Sequence, residues 1–126
     1  MTILALDYGD QRVGVAISRV GLAEPLSVLP NDEQLFANIR QICEQEKVEV
    51  VLLGLSEKET AEKTKKFGQK LTDFLTGLDL EIIYTDETLS SKQARMKLAQ
   101  AQTKQSKRFG PIDHYAAAVF LQEWLG

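Results

Sequence analysis

The sequence predicts an α/β fold, a five-stranded mixed sheet in the order β-β-β-α-β-α-β-α-α with helices on both faces. Three observations predict it. Short apolar runs too brief for helices recur along the chain, stretches with helical spacing alternate with them from residue 35 onward, and the first two runs are joined by a tight turn. A length of 126 residues suits one core, so the whole of 1–126 is read as a single domain.

Ile3-Leu4-Ala5-Leu6 has no room for a helix before Gly9 and reads as a buried strand. Val13, Val15 and Ile17 alternate with Gly14, Ala16 and Ser18, the period of a second strand. The intervening Tyr8-Gly9-Asp10-Gln11-Arg12 is turn chemistry, which favours an antiparallel hairpin. Residues 25–29 supply a short third strand stopped by Pro30, and Asn31 or Asp32 is suited to cap the next helix. That helix carries Leu35, Ile39, Ile42 and Cys43 on one face and ends near Lys47. The β-branched run 48–53 reads as a central parallel strand. Ala61, Phe67, Leu71, Phe74 and Leu75 mark a second helix, and Leu80, Ile82 and Ile83 a fifth strand. Helical spacing returns over 90–101, a polar loop follows over 100–106, and a last helix covers 112–125, with Pro111 placed well at its start.

The composition is that of an ordinary folded chain, with 44% hydrophobic and 26% charged residues. No apolar run approaches the roughly 20 residues of a membrane helix, and no secretory leader is visible. Cys43 is the single cysteine, so no internal disulfide forms, which fits a reducing cytoplasm. Its place in an apolar helical pattern reads as core. The net charge of −3 is unevenly spread. Residues 1–87 hold nine Lys/Arg against sixteen Asp/Glu, whereas 88–126 hold six against two. Between 88 and 110, Lys92, Arg95, Lys97, Lys104, Lys107 and Arg108 face no acid. Such a run is either a solvated helix face or a patch that neutralises phosphates.

Several acids fall at strand ends and helix starts. Asp7 closes the first strand, Asp86 and Glu87 follow the fifth, and Asp113 lies in the first turn of the last helix. Open α/β sheets gather ligands beyond the carboxyl ends of their strands, where such groups can converge. Clustered carboxylates bind hard cations through oxygen, and paired ions can stabilise both the attacking and leaving oxygens of a phosphodiester. Taken singly, each acid also has a structural reading, as a turn or helix-cap residue.

The wording of the segments decides between these readings. Leu6-Asp7-Tyr8-Gly9 with Arg12-Val13-Gly14-Val15-Ala16, then Asp86-Glu87-Thr88-Leu89-Ser90-Ser91, then Ile112-Asp113 with Ala116-Ala117, together resemble the YqgF/RuvX family in order and total length. The closing Leu121-Gln122-Glu123-Trp124-Leu125 is similar as well. The resemblance implies a ribonuclease H-like fold and a nuclease site of Asp7, Glu87 and Asp113 holding Mg²⁺ or Mn²⁺. It also implies a nucleic-acid substrate: either the 5′ end of pre-16S ribosomal RNA, met in pre-ribosomal particles, or a Holliday junction. A resolvase makes paired cuts and is expected to dimerise, whereas an RNA processor can act as a monomer. Beside the metal ligands, Gly9 and Gly14 permit close backbone approach, and Arg12, Lys92, Arg95, Lys107 and Arg108 are candidates to hold the substrate backbone.

The chain departs from the family pattern at Ser56, where a proline is usual, and at Thr88, where many members carry arginine. Neither change touches a proposed metal ligand. Two rival functions remain in view. The Asp7-Tyr8-Gly9 turn also resembles the phosphate loop of two-lobed ATPases, but 126 residues supply one lobe. A non-catalytic RNA-binding assembly factor is the other, and it has little need for like charges gathered beside a polyanion.

Overall fold

The computed structural model describes residues 1–55, 58–86 and 113–126. Its strands are β1 (Ile3–Asp7), β2 (Arg12–Ser18), β3 (Ala23–Pro30), β4 (Val50–Leu55) and β5 (Glu81–Asp86). Its helices are α1 (Leu35–Glu46), α2 (Lys58–Phe74) and α3 (Asp113–Leu125). The expected helix over 90–101 and loop over 100–106 lie outside the described residues.

The sheet order is β3-β2-β1-β4-β5. The β1–β2 and β2–β3 pairs are antiparallel, and β4 runs parallel to both β1 and β5, giving the mixed sheet the sequence predicts. β1 therefore sits at the centre, and all five of its residues are buried. Its alternation sorts the core into two layers. Leu4 and Leu6, with Val13, Val15, Ile17, Val51 and Leu53, pack against Leu35, Ile39 and Cys43 of α1 and Phe67 and Leu71 of α2. Ile3 and Ala5, with Ala16, Val50 and Leu52, pack against Ala117, Phe120 and Leu121 of α3. The small side chains of Ala5, Gly14 and Ala16 on this second face let α3 lie close to the sheet.

Three boundaries differ from the sequence reading. β4 begins at Val50, because the Val48 amide is drawn back to the Cys43 carbonyl at 3.0 Å as the chain leaves α1. Lys47 takes the left-handed conformation there (φ 52°), terminating α1. α1 begins at Leu35, with Gln34 at the capping position. Asp32 instead builds the turn ahead of it, accepting the Gln34 amide on Oδ1 at 2.9 Å and the Leu35 amide on its carbonyl at 3.2 Å. β3 is longer than expected and tolerates Pro25 and Pro30 because it is an edge strand. It carries an extra residue opposite the step from Val15 to Ala16.

Cys43 is 3% exposed, and burial pushes its thiol up from 9.0 to about 11, with Glu44 adding to the rise. The folded state thus favours the neutral thiol more than the unfolded state does. That contribution is complete below pH 9.0 and is lost as the pH climbs towards about 11. A loss of about 2–3 kcal/mol is expected over that window. Urea titrations at pH 8 and 11 check it against Cys43→Ala, which should lack this component. Among the described residues no helix is long and apolar enough to cross a membrane.

Candidate active site

Asp7 is the last residue of β1, and it is 4% exposed. It shares the α3 side of the strand with Ile3 and Ala5, so the alternation that buries those two side chains also turns this carboxylate towards α3. A strand buried on both faces fixes its terminal side chain firmly, which suits a group that must hold a position.

Gly14 brings the second acid to it. In the β1–β2 register Gly14 stands directly opposite Asp7. A Cβ on Gly14 would overlap the backbone carbonyl of Asp113 and crowd that residue's own Cβ. The first residue of α3 therefore rests on bare strand backbone beside Asp7, a seat that any side chain would fill. Asp113 is itself in the first turn of the helix, where a carboxylate is favoured by the helix dipole.

Arg12 completes this corner. It lies two residues before Gly14 and so projects from the same face of β2. Its Nε donates to Asp113 Oδ2 at 3.0 Å, with the carboxylate side chain 13% exposed and the guanidinium 46%. The turn between β1 and β2 is pinned from three sides. Asn31 Nδ2 donates to the Gly9 carbonyl at 2.8 Å, and the Asn31 amide donates to the Gln11 carbonyl at 2.9 Å. Tyr8 stacks on Phe67 with ring centroids 4.6 Å apart, and Lys63 reaches Asp10 at 3.4 Å. Tyr8 is thus a packing residue.

β5 runs parallel to β4 and ends at Asp86, paired with Leu55, on the side of the sheet where β1 ends at Asp7. Glu87 follows it in the chain and lies outside the described residues, as do Lys92, Arg95, Lys107 and Arg108, together with Ser56, Glu57 and Thr88. Among the described residues, no three His, Cys, Asp or Glu side chains gather as a metal cluster. The two carboxylates that are described, one buried and one nearly so, offer only hard oxygen donors, the chemistry that Mg²⁺ and Mn²⁺ select. The residues fit such an ion. His114 turns its ring edge to Tyr115 at a centroid distance of 4.4 Å, a packing arrangement within α3.

Sequence reasoning placed Asp7 and Asp113 at neighbouring ends of their elements and anticipated a close approach at Gly14. It did not anticipate the Arg12–Asp113 pair or the grip of Asn31 on Gly9. Asn31, directly after β3, is with Asp32 one of two residues suited to cap the next helix, and only the return of β3 alongside β2 brings it to the β1–β2 turn.

A five-stranded mixed sheet in this order, with helices on both faces and a buried carboxylate closing its central strand, defines a ribonuclease H-like fold. Solved structures share it at low sequence identity. Thermus thermophilus RuvC in complex with a Holliday junction superposes with a TM-score of 0.65 at 14% identity, covering 99% of this chain and 93% of that one. The fowlpox virus resolvase with its Holliday junction substrate gives 0.67 at 13% identity, covering 99% and 97%. The chain belongs to the RuvX family, whose description is "RuvX: Holliday junction resolvase" and which it matches over residues 1–126. Relatives from Sulfurihydrogenibium sp. (36% identical, covering 98% of this chain and 88% of the relative) and Halothermothrix orenii (34%, covering 99% and 94%) both carry the name "Putative pre-16S rRNA nuclease".

Proposed function

We propose that this chain is a divalent-metal-dependent endonuclease that trims the 5′ end of pre-16S ribosomal RNA, acting as a single cytoplasmic domain. The observation that carries the reading is the seating of Asp113 on Gly14 beside the buried Asp7. The two acids lie 106 positions apart in sequence, and Gly14, opposite Asp7 and under the Asp113 backbone, is the point where their elements meet. The names borne by relatives at 34–36% identity support the substrate.

In this reading Asp7, Glu87 and Asp113 are the catalytic carboxylates and hold Mg²⁺ or Mn²⁺. Bound there, the ion would activate water and offset charge on the phosphodiester in the transition state. Asp7, fixed at the end of the central strand, sets the position of the site. Asp113 joins it from the helix start. Gly9 lets the β1–β2 turn lie close to the nucleic-acid backbone, and Arg12, Lys92, Arg95, Lys107 and Arg108 contact its phosphates. Pre-ribosomal particles are the setting in which such a substrate is met.

Holliday junction resolution is the second reading, favoured by the family description and by the junction-bound neighbours of the same fold. Purified protein is to be incubated with a precursor 5′ leader RNA, duplex and single-stranded controls, and a four-way DNA junction, with Mn²⁺ or Mg²⁺ and with chelator. Metal-dependent cutting of the leader is expected, by a protein that sediments as a monomer. Paired symmetric cuts in the junction by a dimer would select the second reading. RNA binding without cutting, indifferent to chelator, would turn the assignment to an assembly factor.

A further inference from the structure

The Arg12–Asp113 pair has a use beyond holding a helix end. Arg12 is half exposed and engages Asp113 through Nε alone, and its two Nη groups make no hydrogen bond to other described residues. Asp113 Oδ2, the atom it occupies, is one that a cation at this site would also seek. A guanidinium and a metal ion are both positive and cannot share a nearly buried carboxylate oxygen without mutual repulsion. The fork of Nη groups, meanwhile, is the donor geometry that suits a phosphate oxygen.

We propose that Arg12 is a positioning residue that stands in for the metal on Asp113 until nucleic acid arrives. It rests on the nuclease reading above. With no substrate, Arg12 neutralises Asp113 beside the buried Asp7, holds the start of α3 in place, and lowers the affinity of the site for a divalent ion. A phosphate that engages the guanidinium draws its charge away from Asp113 and makes room for the ion. Metal and nucleic acid then each tighten the binding of the other, since such coupling is reciprocal. Metal is loaded mainly where there is substrate to cut.

The test is Mn²⁺ affinity, measured by calorimetry or by the spin-resonance signal of free Mn²⁺, for wild type, Arg12→Gln, Arg12→Lys, Arg19→Gln and Asp7→Asn without nucleic acid. Arg19 lies at the far end of the β2 hairpin, paired with Glu24 and Glu46, and its variant removes the same charge away from the site. Arg12→Gln should bind Mn²⁺ about fivefold more tightly than wild type, the scale of one unit charge removed from near a solvated ion. Arg12→Lys should lie between the two, and Arg19→Gln should match wild type. Adding an uncleavable phosphorothioate oligonucleotide should tighten Mn²⁺ binding to wild type by more than it does to Arg12→Gln. Equal or weaker binding by Arg12→Gln, with Asp7→Asn still losing the ion, would overturn this role and leave the nuclease site standing. Failure of wild type to bind Mn²⁺ at all, with or without the oligonucleotide, would remove the site reading and this inference with it.

Discussion

Gly14→Ala will cost cleavage at least a hundredfold while the protein still folds. The added methyl would overlap the Asp113 carbonyl, which belongs to rigid backbone and cannot rotate aside as a side-chain end can. Either the start of α3 lifts off the sheet or β2 bends away from it. Both movements separate Asp113 from Asp7, and a shift of about 1 Å in a catalytic group is enough for a hundredfold loss. Overpacking of this kind costs about 1–3 kcal/mol of stability, although alanine is otherwise the better residue in a strand by about 0.5–1 kcal/mol. Gly77→Ala supplies the control. Gly77 has φ +96° in open space, so alanine there is strained by about 1–2 kcal/mol but touches nothing near the site. Chemical denaturation should find the two variants comparably destabilised, and only Gly14→Ala should lose cleavage. Equal activity in both would show that the seat under Asp113 does not matter to the reaction.

Asp7→Asn should be harsher on activity and gentler on the fold. The amide keeps the shape of the carboxylate but not its charge, so the proposed site would lose a metal ligand at its most rigid point. Several kcal/mol of transition-state stabilisation go with it, roughly a thousandfold or more in rate. Stability should change little in metal-free buffer, because the amide has the shape of the carboxylate and fills the same buried place, 4% exposed, without a cavity or a clash. A melting temperature close to that of wild type, beside lost cleavage, is the expected pattern. A strongly lowered melting temperature would make Asp7 a structural residue of the turn, the reading that its place after β1 also permits.

These two residues show what sequence can and cannot carry. The run Ile3-Leu4-Ala5-Leu6 could only be a short buried strand, and the alternation from Val13 to Ile17 only its partner, so the centre of the sheet was legible. With β1 central and β4 and β5 parallel to it, the acids that close β1 and β5, Asp7 and Asp86, had to fall at one end of the sheet. The ends of elements were less legible, because they depend on distant partners. Asp32 has the side chain of a helix cap, yet Asn31 beside it is recruited to the β1–β2 turn and the helix starts later. Val48 and Glu49 have the look of strand residues. Their amides turn instead to Cys43 and Thr2, so that pairing with β1 begins only at Val50. The Arg12–Asp113 pair lay beyond reach for the same reason, since nothing local in either residue's neighbourhood specifies a partner 101 positions away.

If Asp7 and Asp113 hold a divalent ion, crystals grown or soaked with Mn²⁺ will reveal it without interference from a contaminating nuclease. An anomalous difference map recorded near the manganese edge should show a peak about 2.1–2.3 Å from a carboxylate oxygen of each of Asp7 and Asp113, and no such peak in Asp7→Asn crystals treated alike. A fully occupied manganese elsewhere on the protein, with nothing between these two carboxylates, would contradict the account.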